Sequence, residues 1–105
     1  RNGELTVVNA NKMPIGIHKN AEVPFTNNEI DIQDGDMYYI FSDGYIDQFG
    51  GTNGNKFFSK NFKDLLVSIQ HEPMEKQRDI LEKIHIEFKG TGKQTDDMLI
   101  IGLKF

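Results

Sequence analysis

Cysteine is absent from the 105 residues, which excludes a disulfide framework, thiolate zinc sites and thiol catalysis, and fits a reducing interior. Long hydrophobic runs are missing too. No apolar stretch approaches the roughly 20 residues that span a bilayer, and no charged-then-apolar leader opens the chain. No membrane insertion by this segment is expected, and a cytoplasmic location is the default, with the parent protein free to carry a membrane or sensor attachment. Basic clustering is lacking as well: the formal charge is −4 and the lysines are scattered, so no nucleic acid partner is expected. The chain opens on Arg1 without an initiator methionine, which reads as a cut from a longer protein.

What is present suffices for one domain, or a piece of one, with a modest core. Eight phenylalanines and three tyrosines supply the bulk, and the charged share of 27% is ordinary, so disorder is not expected. Residues 4–8 read as a short strand. Phe25, Ile30 and Ile32 lie in an extended pattern, and the turn signal Asp34-Gly35 joins them to the run Met37-Tyr38-Tyr39-Ile40-Phe41, which predicts an antiparallel hairpin. That run is almost wholly apolar, which predicts the best buried strand of the chain, covered on both faces. The glycines and asparagines of residues 50–55 predict an exposed loop. Phe62, Leu65, Leu66 and Ile69 then recur at helical spacing behind Ser59 or Asn61 as N-caps. A second helix is expected to carry Pro73 in its first turn, to turn Ile80, Leu81, Ile84 and Phe88 inward, and to end at Gly90 and Gly92. Residues 98–105 close the chain as a strand. The order predicts an α+β fold, mainly antiparallel strands with two helices packed on one face.

Two places put carboxylates at strand ends beside tight backbone: Ser42-Asp43-Gly44 after the apolar run, and Gln94-Thr95-Asp96-Asp97 before the last strand. If the two strands are neighbours, Asp43 and Asp96 converge, and hard oxygen ligands suit Mg²⁺ or Mn²⁺. On spacing alone the bland reading is stronger, because Asp-Gly after a strand is most often a plain turn. Other signals carry less. His18, His71 and His85 lie far apart with no partner at ligand spacing, and read as surface or partly packed residues. Setting Gly35 on the glycine of a calcium loop puts Ile30 and Phe41 at ligand positions, which excludes an EF-hand. Residues 50–56 lack the Gly-Lys-Ser/Thr ending of a phosphate-binding loop.

The segment Gly35-Asp36-Met37-Tyr38-Tyr39-Ile40-Phe41-Ser42-Asp43-Gly44-Tyr45-Ile46-Asp47 resembles the pattern of the metal-dependent type 2C protein serine/threonine phosphatases, in their sporulation-protein-E-like bacterial branch. Met13-Pro14-Ile15-Gly16 before it, Gln48-Phe49-Gly50-Gly51 after it, two helices and Asp96-Asp97 before the terminal strand follow in family order. The resemblance covers nearly the whole chain and implies that residues 1–105 are the C-terminal part of a single phosphatase domain, a partial α-β-β-α sandwich whose N-terminal half is absent. It implies metal-ligand roles for Asp43 and Asp96, with no catalytic residue beyond the metal ligands. Gly44 is implied to allow close packing, Asp97 to orient the ligand shell or the turn, and Asp47 to be structural. The family's upstream Gly-Asp-x-x-Gly-His-Gly type motif, whose Asp bridges both metals, has no counterpart here.

The expected function is hydrolysis of phosphoserine or phosphothreonine in a phosphorylated regulatory protein. A two-metal centre of Mn²⁺ or Mg²⁺ in the parent domain would carry it, with this segment inactive alone. The alternative is a non-catalytic regulatory or dimerisation module, self-associating through the surface that the missing half would cover.

Overall fold

The two longest strands stand far apart in sequence and pair with each other. In the computed structural model, which describes residues 1–19 and 22–105, β1 (Met37–Phe41) runs antiparallel to the strand Ile100–Lys104, with Met37 opposite Lys104 and Phe41 opposite Ile100. Backbone bonds extend the ladder beyond both ends, from Gly35 N–H to the Phe105 carbonyl (2.8 Å) and from Ser42 N–H to the Leu99 carbonyl (3.0 Å). In chain order the elements between are β2 (Phe49–Gly50), β3 (Asn55–Lys56), α1 (Ser59–Ile69) and α2 (Met74–Lys89); Ile100–Lys104 is β4. β2 and β3 form a short antiparallel hairpin of their own, so the predicted loop of residues 50–55 has paired ends.

Side chains alternate along a strand, so Met37, Tyr39 and Phe41 share one face of β1. Both helices pack there. Phe41 meets Phe62 of α1 edge-on with ring centroids 4.8 Å apart, and the Tyr39 hydroxyl donates to Gln77 of α2. The core between sheet and helices is Tyr45, Phe62, Leu66, Ile69 and Leu81, each contributing on the order of 1.5–3 kcal/mol by burial. The Tyr45 hydroxyl, buried among them, donates to the Leu81 carbonyl at 2.8 Å, which pins the chain after β1 to α2. The α+β class, the antiparallel pairing and the helices on one face follow the sequence reading.

Several expectations are corrected. The hairpin of residues 23–32 with 37–41 does not form: no strand is found in residues 1–19 or 22–36. The predicted strand over residues 4–8 is missing for the same reason. The Asp34-Gly35 turn is made, closed by Asp36 N–H on the Gln33 carbonyl at 3.1 Å, yet the strand edge it leads into is bonded to β4. A turn signal specifies a reversal, not the identity of the neighbour.

β1 is also not covered on both faces. Ile40 is 61% exposed, and its cross-strand partner Ile101, with Leu103 beside it, shares that open apolar face. The expected cap of α1 differs too. Phe58 holds the cap position at φ 70° with no side-chain cap bond, a backbone region that bulky residues seldom occupy. Asn61 instead donates to the Phe57 carbonyl at 2.7 Å.

Helix α2 begins one residue after Pro73 and ends at Lys89, with Gly90 at φ 57° capping it, as Gly90 signalled. Its deepest stripe, however, is Gln77, Leu81 and His85, with Ile80, Ile84 and Phe88 only half-buried. Two polar residues thus occupy positions that an apolar pattern cannot reveal. Among the described residues no helix is long and apolar enough to cross a membrane.

Candidate metal centre

Because β1 and β4 are antiparallel, the exit of β1 lies beside the entry of β4. Asp43 follows β1 by two residues and Asp96 precedes β4 by four, so both segments lie at one rim of the sheet. Ser42 ties them together: its hydroxyl accepts from Leu99 N–H (3.0 Å) and lies within donating distance of the Asp97 carbonyl (3.3 Å). Gly44, buried, lies so close that a Cβ added to it would stand 2.1 Å from the Asp97 carbonyl oxygen. Only a residue without a side chain permits that approach.

The carboxylates differ in their surroundings. Asp43 and Asp96 are exposed, and among the described residues neither joins an ion pair. Asp96 Oδ1 accepts from Asp97 N–H at 2.7 Å, and the Asp96 carbonyl accepts from Gln94 Nε2 at 2.9 Å. Asp97 therefore contributes its backbone to the orientation of Asp96. Asp47 points elsewhere: its carboxylate faces Lys56 Nζ at 3.3 Å, and its N–H closes a turn on the Asp43 carbonyl at 2.9 Å. Exposed hard-oxygen donors at a shared rim fit a divalent cation in kind. They fall short in number, since among the described residues no group of three or more His, Cys, Asp or Glu could hold a metal ion. A cation at this rim would need ligands beyond Asp43 and Asp96.

Two buried ionisable residues, Asp36 and His85, were not assigned a role from sequence. Asp36 receives Arg1 Nε (2.9 Å) and Nη2 (2.8 Å), Gln33 N–H (3.0 Å) and the Tyr38 hydroxyl (3.2 Å). The Arg1 hydrogen bonds, followed by that of Gln33, hold its carboxyl well below the usual carboxylate range, so it stays ionised as a structural anchor. It stands at the other end of β1 from Asp43. His85, 6% exposed, lies against Tyr45 with ring centroids 5.6 Å apart and bonds Gln48 at 3.2 Å. Nothing in the spacing of the histidines signals this, because the partner Gln48 is brought in by the turn after β1.

Burial, and then the nearby charge of Lys89, lower the His85 pKa from its ordinary 6.5. The unfolded chain therefore takes up this proton more readily than the folded one. The contribution is intact above pH 6.5 and is lost as pH falls from there through the lowered folded value. Urea unfolding midpoints of the parent protein, measured across that window, are expected to decline with acid, and this part of the decline is expected to vanish in His85→Phe.

The family model described as Stage II sporulation protein E (SpoIIE) matches residues 1–105. The chain belongs to the SpoIIE family. A solved structure, the SiaA-PP2C domain of Pseudomonas aeruginosa, is similar to it with a TM-score of 0.74 and 30% sequence identity, over 78% of this chain and 34% of that one. No curated protein matches the chain by sequence. The chain thus shares the arrangement of a type 2C phosphatase domain while spanning 34% of the length of the solved relative. The open face of Ile40, Ile101 and Leu103 lies on the side of the sheet away from its helices.

Proposed function

We propose that this chain is part of a metal-dependent phosphatase that removes phosphate from phosphoserine or phosphothreonine in a regulatory protein, with Asp43 and Asp96 among the ligands of Mn²⁺ or Mg²⁺. The observation that carries this reading is the tie between the β1 exit and the β4 entry through Ser42 and Gly44, in a chain of the SpoIIE family. When bound, divalent ions supply Lewis-acid activation of water and of the phosphoryl group. The chain's own part is to supply two hard carboxylates and to hold their segments together. Ser42 fixes the spacing by hydrogen bonds, Gly44 by backbone contact, and the Asp97 N–H orients the Asp96 carboxylate.

A second reading, a regulatory or dimerisation module, draws on the open apolar face of Ile40, Ile101 and Leu103, which a second copy could cover. One assay separates the two. The complete parent protein is expected to release phosphate from a phosphoserine peptide with Mn²⁺, to stop on chelation with EDTA, and to recover when Mn²⁺ is restored. Release that ignores the chelator would overturn the metal-dependent reading. No release in any condition from a parent that forms a stable dimer would favour the second.

A further inference from the structure

Gln48 is 1% exposed, and its amide uses its full hydrogen-bonding capacity. Nε2 donates to the carbonyls of Phe49 (3.0 Å) and Lys93 (2.9 Å), while Oε1 accepts from Thr95 N–H (3.2 Å) and bonds His85 Nε2 (3.2 Å). Carbonyls only accept and a backbone N–H only donates, so these partners dictate which way the amide faces. They also require the His85 imidazole to carry its proton on Nε2, because Oε1 cannot donate. A further bond runs from Phe49 N–H to Thr95 Oγ1 at 3.3 Å.

Residues 93–95 are exposed and belong to no strand. They have no ladder to place them, and the bonds that hold them come from Gln48 and Phe49. The next residue is Asp96. Gln48 is itself braced, since its carbonyl accepts from Phe57 N–H at 2.9 Å and His85 is packed against Tyr45 from α2. A continuous path therefore runs from the helix core, through His85 and Gln48, to the backbone that leads into Asp96.

We infer that Gln48, oriented by His85, is a positioning residue: it sets the backbone of residues 93–95 and thereby where the Asp96 carboxylate stands. This rests on the metal-dependent phosphatase reading above. Neither side chain touches metal or substrate in this role. Its signature is a weakened cation site, with the phosphopeptide site left as it was.

The test is a calorimetric Mn²⁺ titration of the metal-free complete parent protein, with kcat and KM measured at saturating Mn²⁺. Gln48→Met is expected to raise the Mn²⁺ Kd by roughly tenfold to a hundredfold, the usual effect of removing a partner that orients a ligand, with KM unchanged. His85→Phe, which keeps a ring against Tyr45 and loses the bond to Gln48, is expected to raise Kd by a smaller factor. Leu66→Ala, a core change away from this path, is expected to lose stability and keep the wild-type Kd. An unchanged Kd in Gln48→Met, or an equal rise in Leu66→Ala, would overturn the inference while leaving the phosphatase reading in place. If Gln48→Met does not fold, an unchanged Kd in His85→Phe overturns it by the same measure. A wild-type parent that binds no Mn²⁺ overturns the phosphatase reading, and the inference with it.

Discussion

Alanine at Asp43 or at Asp96 in the complete parent protein is expected to lower Mn²⁺-dependent phosphate release by roughly a hundredfold to a thousandfold, the scale on which loss of one fixed electrostatic stabiliser slows a reaction. Folding should be spared. Both side chains are exposed and free of ion pairs among the described residues, and exposed substitutions of this kind usually move stability by less than about 0.5 kcal/mol. The two losses should also fail to add, because ligands of one centre act as a unit. Phosphate release by each single variant and by the double variant, beside circular dichroism melts, checks all three statements. Asp47→Ala serves as the contrast: its carboxylate is engaged by Lys56 at 3.3 Å, and its removal should leave release near wild type.

Gly44→Ala is expected to have the second large effect, on fold and site together. The added methyl would stand 2.1 Å from the Asp97 carbonyl oxygen, 2.8 Å from its carbon and 3.1 Å from Met98 Cα. All three are backbone atoms, so no side chain can rotate away. Relief requires the exit of β1 and the entry of β4 to part, against the Ser42 bonds to Asp97 and Leu99. Overpacking a core typically costs about 1–3 kcal/mol and occasionally more, and a clash of backbone with backbone belongs at the upper end. The same parting moves Asp43 from Asp96. The variant should therefore need more Mn²⁺ for half-maximal activity as well as less urea to unfold. A Gly44→Ala protein with wild-type urea midpoint and wild-type Mn²⁺ dependence would contradict this close approach.

Several features were legible in the chain before any coordinates. The helical spacing of Phe62, Leu66 and Ile69 marks the face of α1 that is buried, because residues at i, i+4 and i+7 return to one side of a helix. Gly90 marks the end of α2. The ordered motifs from Gly35 to Asp97 pointed to the family that the match over residues 1–105 establishes. Less legible was anything that depends on which distant segment arrives where. The extended pattern of Phe25, Ile30 and Ile32 looked like the partner of β1, yet these side chains are about half exposed and β4 is the partner. Alternation shows that a segment can form a strand. It carries no label for the edge that will receive it.

The buried polar residues make the same point more sharply. Gln48 and His85 break the apolar patterns around them, and read locally they belong on the surface. They are tolerated inside because each finds the other: the amide and the ring bond at 3.2 Å, and the remaining amide groups meet the backbone of residues 49, 93 and 95. Removed from water without those partners, either would carry a substantial penalty. Apart from Phe49, which adjoins Gln48, these partners lie 37 to 47 positions away in the chain, beyond any local pattern.

The chain alone determined its helices, the apolar stripe of α1, the two acidic strand ends and the α+β class, because these rest on periodicity and on the conformational preferences of neighbouring residues. The tertiary structure decided that β1 and β4 pair, that one face of that pair stays open, that Gly44 meets Asp97, and that Gln48 holds the approach to Asp96. Those outcomes are set by which surfaces and hydrogen-bonding groups meet once the chain has collapsed, and residues remote in sequence meet only then.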